Sequence, residues 1–205
     1  MTQPTEGPPH HESRAPVDPL EALRAAFCDY RIRYPEDERT VTRFLALLSH
    51  GEPAFHRDHM PGHFTASALV LDRELTRVLL THHRKLDIWI QLGGHADGQA
   101  DLLSAALREA REESGIERID VAHPAIVDLD IHPIPPHGRE SGHDHFDVRY
   151  AFYADPTAPL IVSDESHDLA WVAIERLSDF SDEESLHRAV ERALKTVTQL
   201  ADGPT

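Results

Sequence analysis

The stretch GGHADGQADLLSAALREAREESGI, residues 93–116, leaves the chain few options. The segment DIWIQL runs straight into Gly93-Gly94, so a short strand must end there in a tight turn. A helix over residues 99–114 is predicted to follow, and Gly115 supplies the left-handed position that stops it. A strand–turn–helix unit of this kind needs a sheet to pack on. Leu103, Leu107 and Ala110 form the expected sheet-facing side of the helix. Glu109, Glu112 and Glu113, at i, i+3 and i+4, fall on a different side. Exposed like charges at that spacing repel by roughly a few tenths of a kcal/mol per pair. A divalent cation turns that repulsion into a binding site, and hard ions such as Mg²⁺ and Mn²⁺ take carboxylate, carbonyl and water oxygens. The ordinary alternative is a solvated acidic face. Against it stand the double glycine, which lets a carbonyl point back at the ion, and Arg108, placed to hold a carboxylate.

The rest of the chain reads as α/β, with a mixed β-sheet and helices on its faces. FTASALVLD and TRVLLTHH form a hairpin around RELT, and DIWIQL is a third strand. RIDVAHPAIVDLDIHPIP holds a strand or two, interrupted at Pro124. HDHFDVRYAFYA is a clear strand, with Phe146, Val148, Tyr150 and Phe152 on one face and His145, Asp147 and Arg149 on the other. DLAWVAIERL adds a further strand. A terminal amphipathic helix begins near Ser181, a cap residue with Glu184 three places on. Ahead of the sheet, PLEALRAAFCDY and PEDERTVTRFLALLSHG are two helices. The expected organisation is a disordered tail at 1–17, a helical extension at 18–58 and the main domain at 59–205.

Composition narrows the function. Of 205 residues, 36 are acidic and 20 are Lys or Arg, a net charge of −16 that repels nucleic-acid backbones. With one cysteine, Cys28, neither an intramolecular disulfide nor a multi-cysteine zinc site can form. No apolar run is long enough to span a membrane and no secretory signal opens the sequence, so a cytoplasmic location is expected. The 16 histidines are many for this length, and imidazole is the commonest transition-metal ligand.

Gly94 and REAREESGI together resemble the Nudix box. In that motif a glycine, five residues, a glutamate, seven residues and then R-E-U-x-E-E-x-G-U follow in order, U being bulky and apolar. Gly94, Arg108, Glu109, Glu112, Glu113, Gly115 and Ile116 all match at the right spacing. Flanking segments over roughly residues 60–180 are also similar to the family. Two positions depart from it: Ala100 stands where the first glutamate belongs, and Ala110 is small.

The resemblance implies a Nudix-type α/β/α sandwich and a Mg²⁺- or Mn²⁺-dependent hydrolase. Its substrate would be a small nucleotide-type molecule, a nucleoside diphosphate linked to another group. By the same resemblance Glu109, Glu112 and Glu113 would be metal ligands, with Gly93 offering its carbonyl. Glu112, Glu113, Arg108 and Glu165 would carry catalysis. With Ala100 unable to act, Glu165 is the candidate base, with Asp164 and Asp168 as rivals, and Asp97 and Asp101 could replace the missing carboxylate. Arg84, Lys85, His95 and His145 are candidate substrate contacts.

Between His132 and His145 three readings stand open: a transition-metal site using His143, His145 and Asp147, a polar cleft wall, or a plain His-rich loop. A Nudix-fold binding or regulatory module with weakened catalysis is the rival to the enzyme. A prenyl diphosphate isomerase fits poorly, because Cys28 lies outside the core. The helices at 19–50 either cover the cleft or form a homodimer contact.

Overall fold

One mixed seven-stranded sheet organises the molecule, and the parallel pair at its centre fixes the positions that matter. The computed structural model describes residues 18–136 and 141–201. The expected disordered tail at 1–17 and the middle of the His132–His145 stretch lie outside the described residues. The strands are β1 (Gly62–Leu71), β2 (Arg77–His83), β3 (Ile88–Ile90), β4 (Leu92–His95), β5 (Ile119–Ile134), β6 (His143–Ala154) and β7 (Ser166–Ala173). The helices are α1 (Pro19–Arg33), α2 (Glu38–Leu48), α3 (Leu102–Ser114) and α4 (Glu184–Ala201). The sheet order is β3-β2-β1-β6-β5, with β4 paired to β1 and β7 to β2.

β1 and β6 run parallel in continuous register from Gly62↔Asp144 to Leu71↔Tyr153. The alternation expected for β6 holds: Phe146, Val148, Tyr150 and Phe152 join Phe64, Ala66, Ala68 and Val70 in the larger core, beneath α1, α2 and α3. Leu69, Leu71 and Ala151 point the other way and pack on Leu186, Ala189, Val190 and Ala193 of α4. Helices thus cover both faces, giving the α/β/α sandwich.

Three elements differ from the sequence reading, each for a local reason. DIWIQL is two strands, because the chain crosses at Gln91 from pairing with β2 to pairing with β1. Residues 119–134 are one strand, since bulges between Val121 and Asp128 absorb Pro124 without ending the ladder with β6. α3 starts three residues later than expected because Asp101 caps it, accepting from the Ser104 N–H at 3.1 Å. The buried stripe of α3 is Leu102, Ala106, Ala110 and Glu113, with Leu103 and Leu107 only partly buried. Ala110 is small because α3 lies directly on β1 in that stripe.

The helical extension packs into the main core. Phe27, Tyr30, Val41 and Phe44 are fully buried with Phe64 and Phe146. A buried ion cluster fastens the opposite side. Asp128 is wholly buried and accepts from Arg149 at 3.2 Å, Arg188 at 2.9 Å and Arg192 at 2.8 Å. Arg192 also donates to Asp37 at 2.6 Å, so α4, β5 and the turn before α2 meet at one carboxylate. Among the described residues, no helix is long and apolar enough to cross a membrane.

Candidate functional site

The turn after β4 and the exposed edge of α3 bring the expected carboxylates together. Gly93 and Gly94 lie within β4 and pair with Ser67 and Ala66 of β1, so the strand runs through the double glycine instead of ending there in the expected tight turn, which comes at Asp97-Gly98. A Cβ at Gly93 would sit 2.7 Å from the Ser67 Cα, and φ there is 157°. A Cβ at Gly94 would sit 2.5 Å from the Glu109 carboxylate. Both glycines are therefore required by close approach, one to backbone and one to the Glu109 side chain. Gly115 ends α3 in the left-handed conformation, as the sequence indicated.

The three glutamates have different surroundings. The Glu113 carboxylate is buried on the α3 stripe and accepts from the Gly93 N–H at 2.8 Å. Burial pushes its pKa up to about 8, with the charges of Glu109 and Glu165 adding to the rise. Glu109 is largely covered, and burial raises it despite the Arg108 guanidinium 2.7 Å away. Glu112 is exposed, 3.3 Å from Arg108. Arg108 also donates to the His95 carbonyl at 3.0 Å, locking the turn to the helix. A buried carboxylate short of counter-charge, beside two more acids and a turn without side chains, is what a hard divalent cation fits.

The remaining sequence candidates divide. Glu165 is exposed, and its charge reaches Glu113 and His95, so it flanks the cluster. Asp168 is exposed, at the β2–β7 ladder opposite His82. Asp164 is exposed in the same loop as Glu165. Asp101 is used as the α3 cap, and Asp97 is paired with Arg57 at 2.7 Å, which holds it below the usual carboxylate range against the effect of burial. Asp97 also lies in the field of Glu109. Ala100 packs on the core near Leu23 and Ala26 of α1, so its side chain points into apolar surroundings. Arg84 donates to the Ser166 carbonyl at 2.8 Å and its own N–H bonds the Glu165 carbonyl at 2.9 Å, fixing the Glu165 loop. Lys85 is exposed on the turn beside it.

His95 and His145 meet, with ring centroids 5.2 Å apart, and His63 joins them. His143 closes the group, its Nε2 3.3 Å from that of His145. Burial lowers His145 to about 2 and His63 to about 4, with neighbouring imidazoles adding to both shifts; burial also lowers His95. Asp147, expected beside His145, is instead consumed by Arg149 at 2.8 Å, Ser67 at 2.8 Å and Thr65 at 3.1 Å.

Two residues were not singled out from sequence. Arg57 lies in the field of Glu109 and Glu165 as well as pairing with Asp97. His63 sits next to a glycine at the start of β1, and only the β1–β6 register places it opposite His145. A surface cavity of about 690 Å³ at the far end of α3, lined by Arg73, Arg118, Tyr153 and Ile161 among others, shares no residue with this site.

Comparison with known proteins agrees with this architecture. Residues 61–194 match the NUDIX domain family. The fold is similar to that of the E. coli dihydroneopterin triphosphate pyrophosphohydrolase, at a TM-score of 0.53 and 14% identity, covering 65% of this chain and 95% of that one. It is also similar to RenU, a Nudix hydrolase from M. smegmatis, at a TM-score of 0.50 and 21% identity, covering 70% of this chain and 89% of that one. A search of curated proteins gives no match. The family match begins where β1 begins and runs through most of α4, taking in the glycine turn and all three glutamates, and the chain belongs to the Nudix family.

Proposed function

We propose that the protein is a Mg²⁺- or Mn²⁺-dependent pyrophosphohydrolase acting on a small nucleotide-type substrate, a nucleoside diphosphate linked to another group. The observation that carries this reading is the carboxylate cluster itself. Glu113 is buried and pushed up to about 8 beside Glu109, a burden that folding alone does not require. Glu109, Glu112 and Glu113 would hold the ion, with the Gly93 carbonyl beside them. When bound, such an ion neutralises pyrophosphate charge and acidifies water.

The chain's own residues supply the rest. Arg108 orients Glu109 and Glu112 and ties them to the turn through the His95 carbonyl. Glu165, on the loop held by Arg84, accepts the proton of the attacking water. Arg57 and Lys85 meet phosphate oxygens on a protein whose overall charge opposes them. His95 and His145 line the adjoining wall; α1 and α2 complete the core, and Arg57, just after them, reaches the reacting site.

A binding or regulatory module is the second reading, favoured by Ala100, which supplies no carboxylate where the family pattern has one. Turnover of a panel of nucleoside diphosphate derivatives, measured with Mg²⁺, with Mn²⁺ and with chelator, separates the two. Metal-dependent release of two phosphate-containing products supports the enzyme. Tight ligand binding with no turnover supports the module.

A further inference from the structure

We propose that His63, His95 and His145 form a second metal site, for a transition-metal ion of the Zn²⁺ class, separate from the carboxylate cluster. The inference does not rest on the hydrolase reading. The three side chains come from three strands, and the sheet register assembles them. His63 is the parallel partner of His145, and Thr65, two residues on from His63, is the antiparallel partner of His95. One ligand nitrogen from each residue lies within 4.8 Å of the others. Zn–N bonds of about 2.0–2.1 Å in a tetrahedral site put nitrogens roughly 3.4 Å apart, so modest ring rotation closes the set.

His63 supplies the second observation. Its side chain is 1% exposed, yet among the described residues neither ring nitrogen makes a well-formed hydrogen bond; the His59 backbone comes near without completing one. An unsatisfied buried polar group costs about 1–3 kcal/mol, and this ring carries two such atoms. A phenylalanine would fill the same space at no such cost. The imidazole faces His95, His143 and His145 at centroid distances of 5.2, 4.9 and 4.9 Å. A ligated ion satisfies one of those nitrogens directly and gives four adjacent imidazoles a shared partner.

The donor set selects the ion. Three imidazoles and no thiolate suit Zn²⁺, Co²⁺ or Ni²⁺, whereas Mg²⁺ takes oxygen ligands and belongs with the glutamates. His143 stands beside the fourth position. His132 is excluded from the set, because its Nδ1 is bonded to Asp130 at 3.1 Å. Asp147 is excluded by its bonds to Arg149, Ser67 and Thr65. His95 joins the two sites: its carbonyl accepts from Arg108, which grips Glu109, while its ring faces the histidines.

The test uses the untagged full chain, stripped of metal with chelator and titrated with Co²⁺ by visible absorption and with Zn²⁺ by calorimetry. The expected result is one tight site per chain with d–d bands of a nitrogen-rich tetrahedral ion. His95→Gln and His145→Gln should each weaken it at least tenfold. Glu112→Gln/Glu113→Gln should leave it in place, and so should His187→Gln, on α4 at the other face of the sheet. Circular dichroism checks that each variant is folded, and X-ray absorption counts nitrogen neighbours. Absence of a tight site in the wild type overturns the proposal. So does binding that survives both histidine variants, or binding that is lost with the glutamates or with His187.

Discussion

Replacing Glu113 with glutamine should stabilise the metal-free protein while removing its activity. The side chain is 6% exposed and its acceptor bond from the Gly93 N–H, at 2.8 Å, can be kept by a glutamine oxygen. Burial raises its pKa from 4.5 to about 8. Between those values the folded chain retains a proton that the unfolded chain has lost, so stability falls as pH rises through this window. Each unit is worth about 1.36 kcal/mol, which makes the penalty at pH 7 roughly 3 kcal/mol. Glutamine carries no such penalty. The two proteins should therefore melt together near pH 5 and separate by roughly 6–12 °C at pH 7 in chelator, with Glu113→Gln the more stable. Mg²⁺ should then raise the wild type and leave the variant nearly unmoved, because only the wild type keeps the full ligand set. Calorimetric melts of both proteins at several pH values, with and without Mg²⁺, read the effect. A gap that does not change with pH, or a variant less stable than wild type at pH 8 in chelator, would refute the account of Glu113.

Other substitutions probe the remaining contacts. Gly94→Ala should fold, since the added methyl meets only the end of the Glu109 side chain, but it should displace that carboxylate and weaken Mg²⁺ binding as followed by calorimetry. Asp128→Asn removes the charge shared by three guanidinium groups and turns one acceptor oxygen into an NH₂ donor facing them, and should cost about 3–5 kcal/mol in urea unfolding. Ala100→Glu would press a carboxylate toward Leu23 and Ala26 of α1; it should lower the melting temperature and should not raise kcat.

The carboxylate cluster was legible because its members share one helix and one turn, where fixed spacing determines geometry. Gly94, Glu109, Glu113 and Gly115 needed no long-range information. The imidazole group was not legible, because His63 and His145 are 82 residues apart in number and become neighbours only through parallel strand register. The alternation of His143, His145 and Asp147 was read correctly as one face, but it could not show that Arg149 and two hydroxyls consume Asp147. The same limit applies to Ala100. Its departure from the family pattern was visible, whereas its place on a cavity beside Leu23 and Ala26 depends on how α1 packs. Pro124 misled for a local reason: a proline interrupts a ladder only where its missing N–H is needed, and the bulge at His123 removes that need.

Steady-state hydrolysis by the wild type and by Glu112→Gln, over the nucleoside diphosphate panel, tests the central claim most directly. Glu112 is exposed and its loss should leave the fold intact. The expected result is turnover that requires Mg²⁺ or Mn²⁺, vanishes in chelator and falls by about a hundredfold or more in the variant. Full activity in Glu112→Gln, or turnover that persists in chelator, would contradict the assignment of the cluster as the reacting centre.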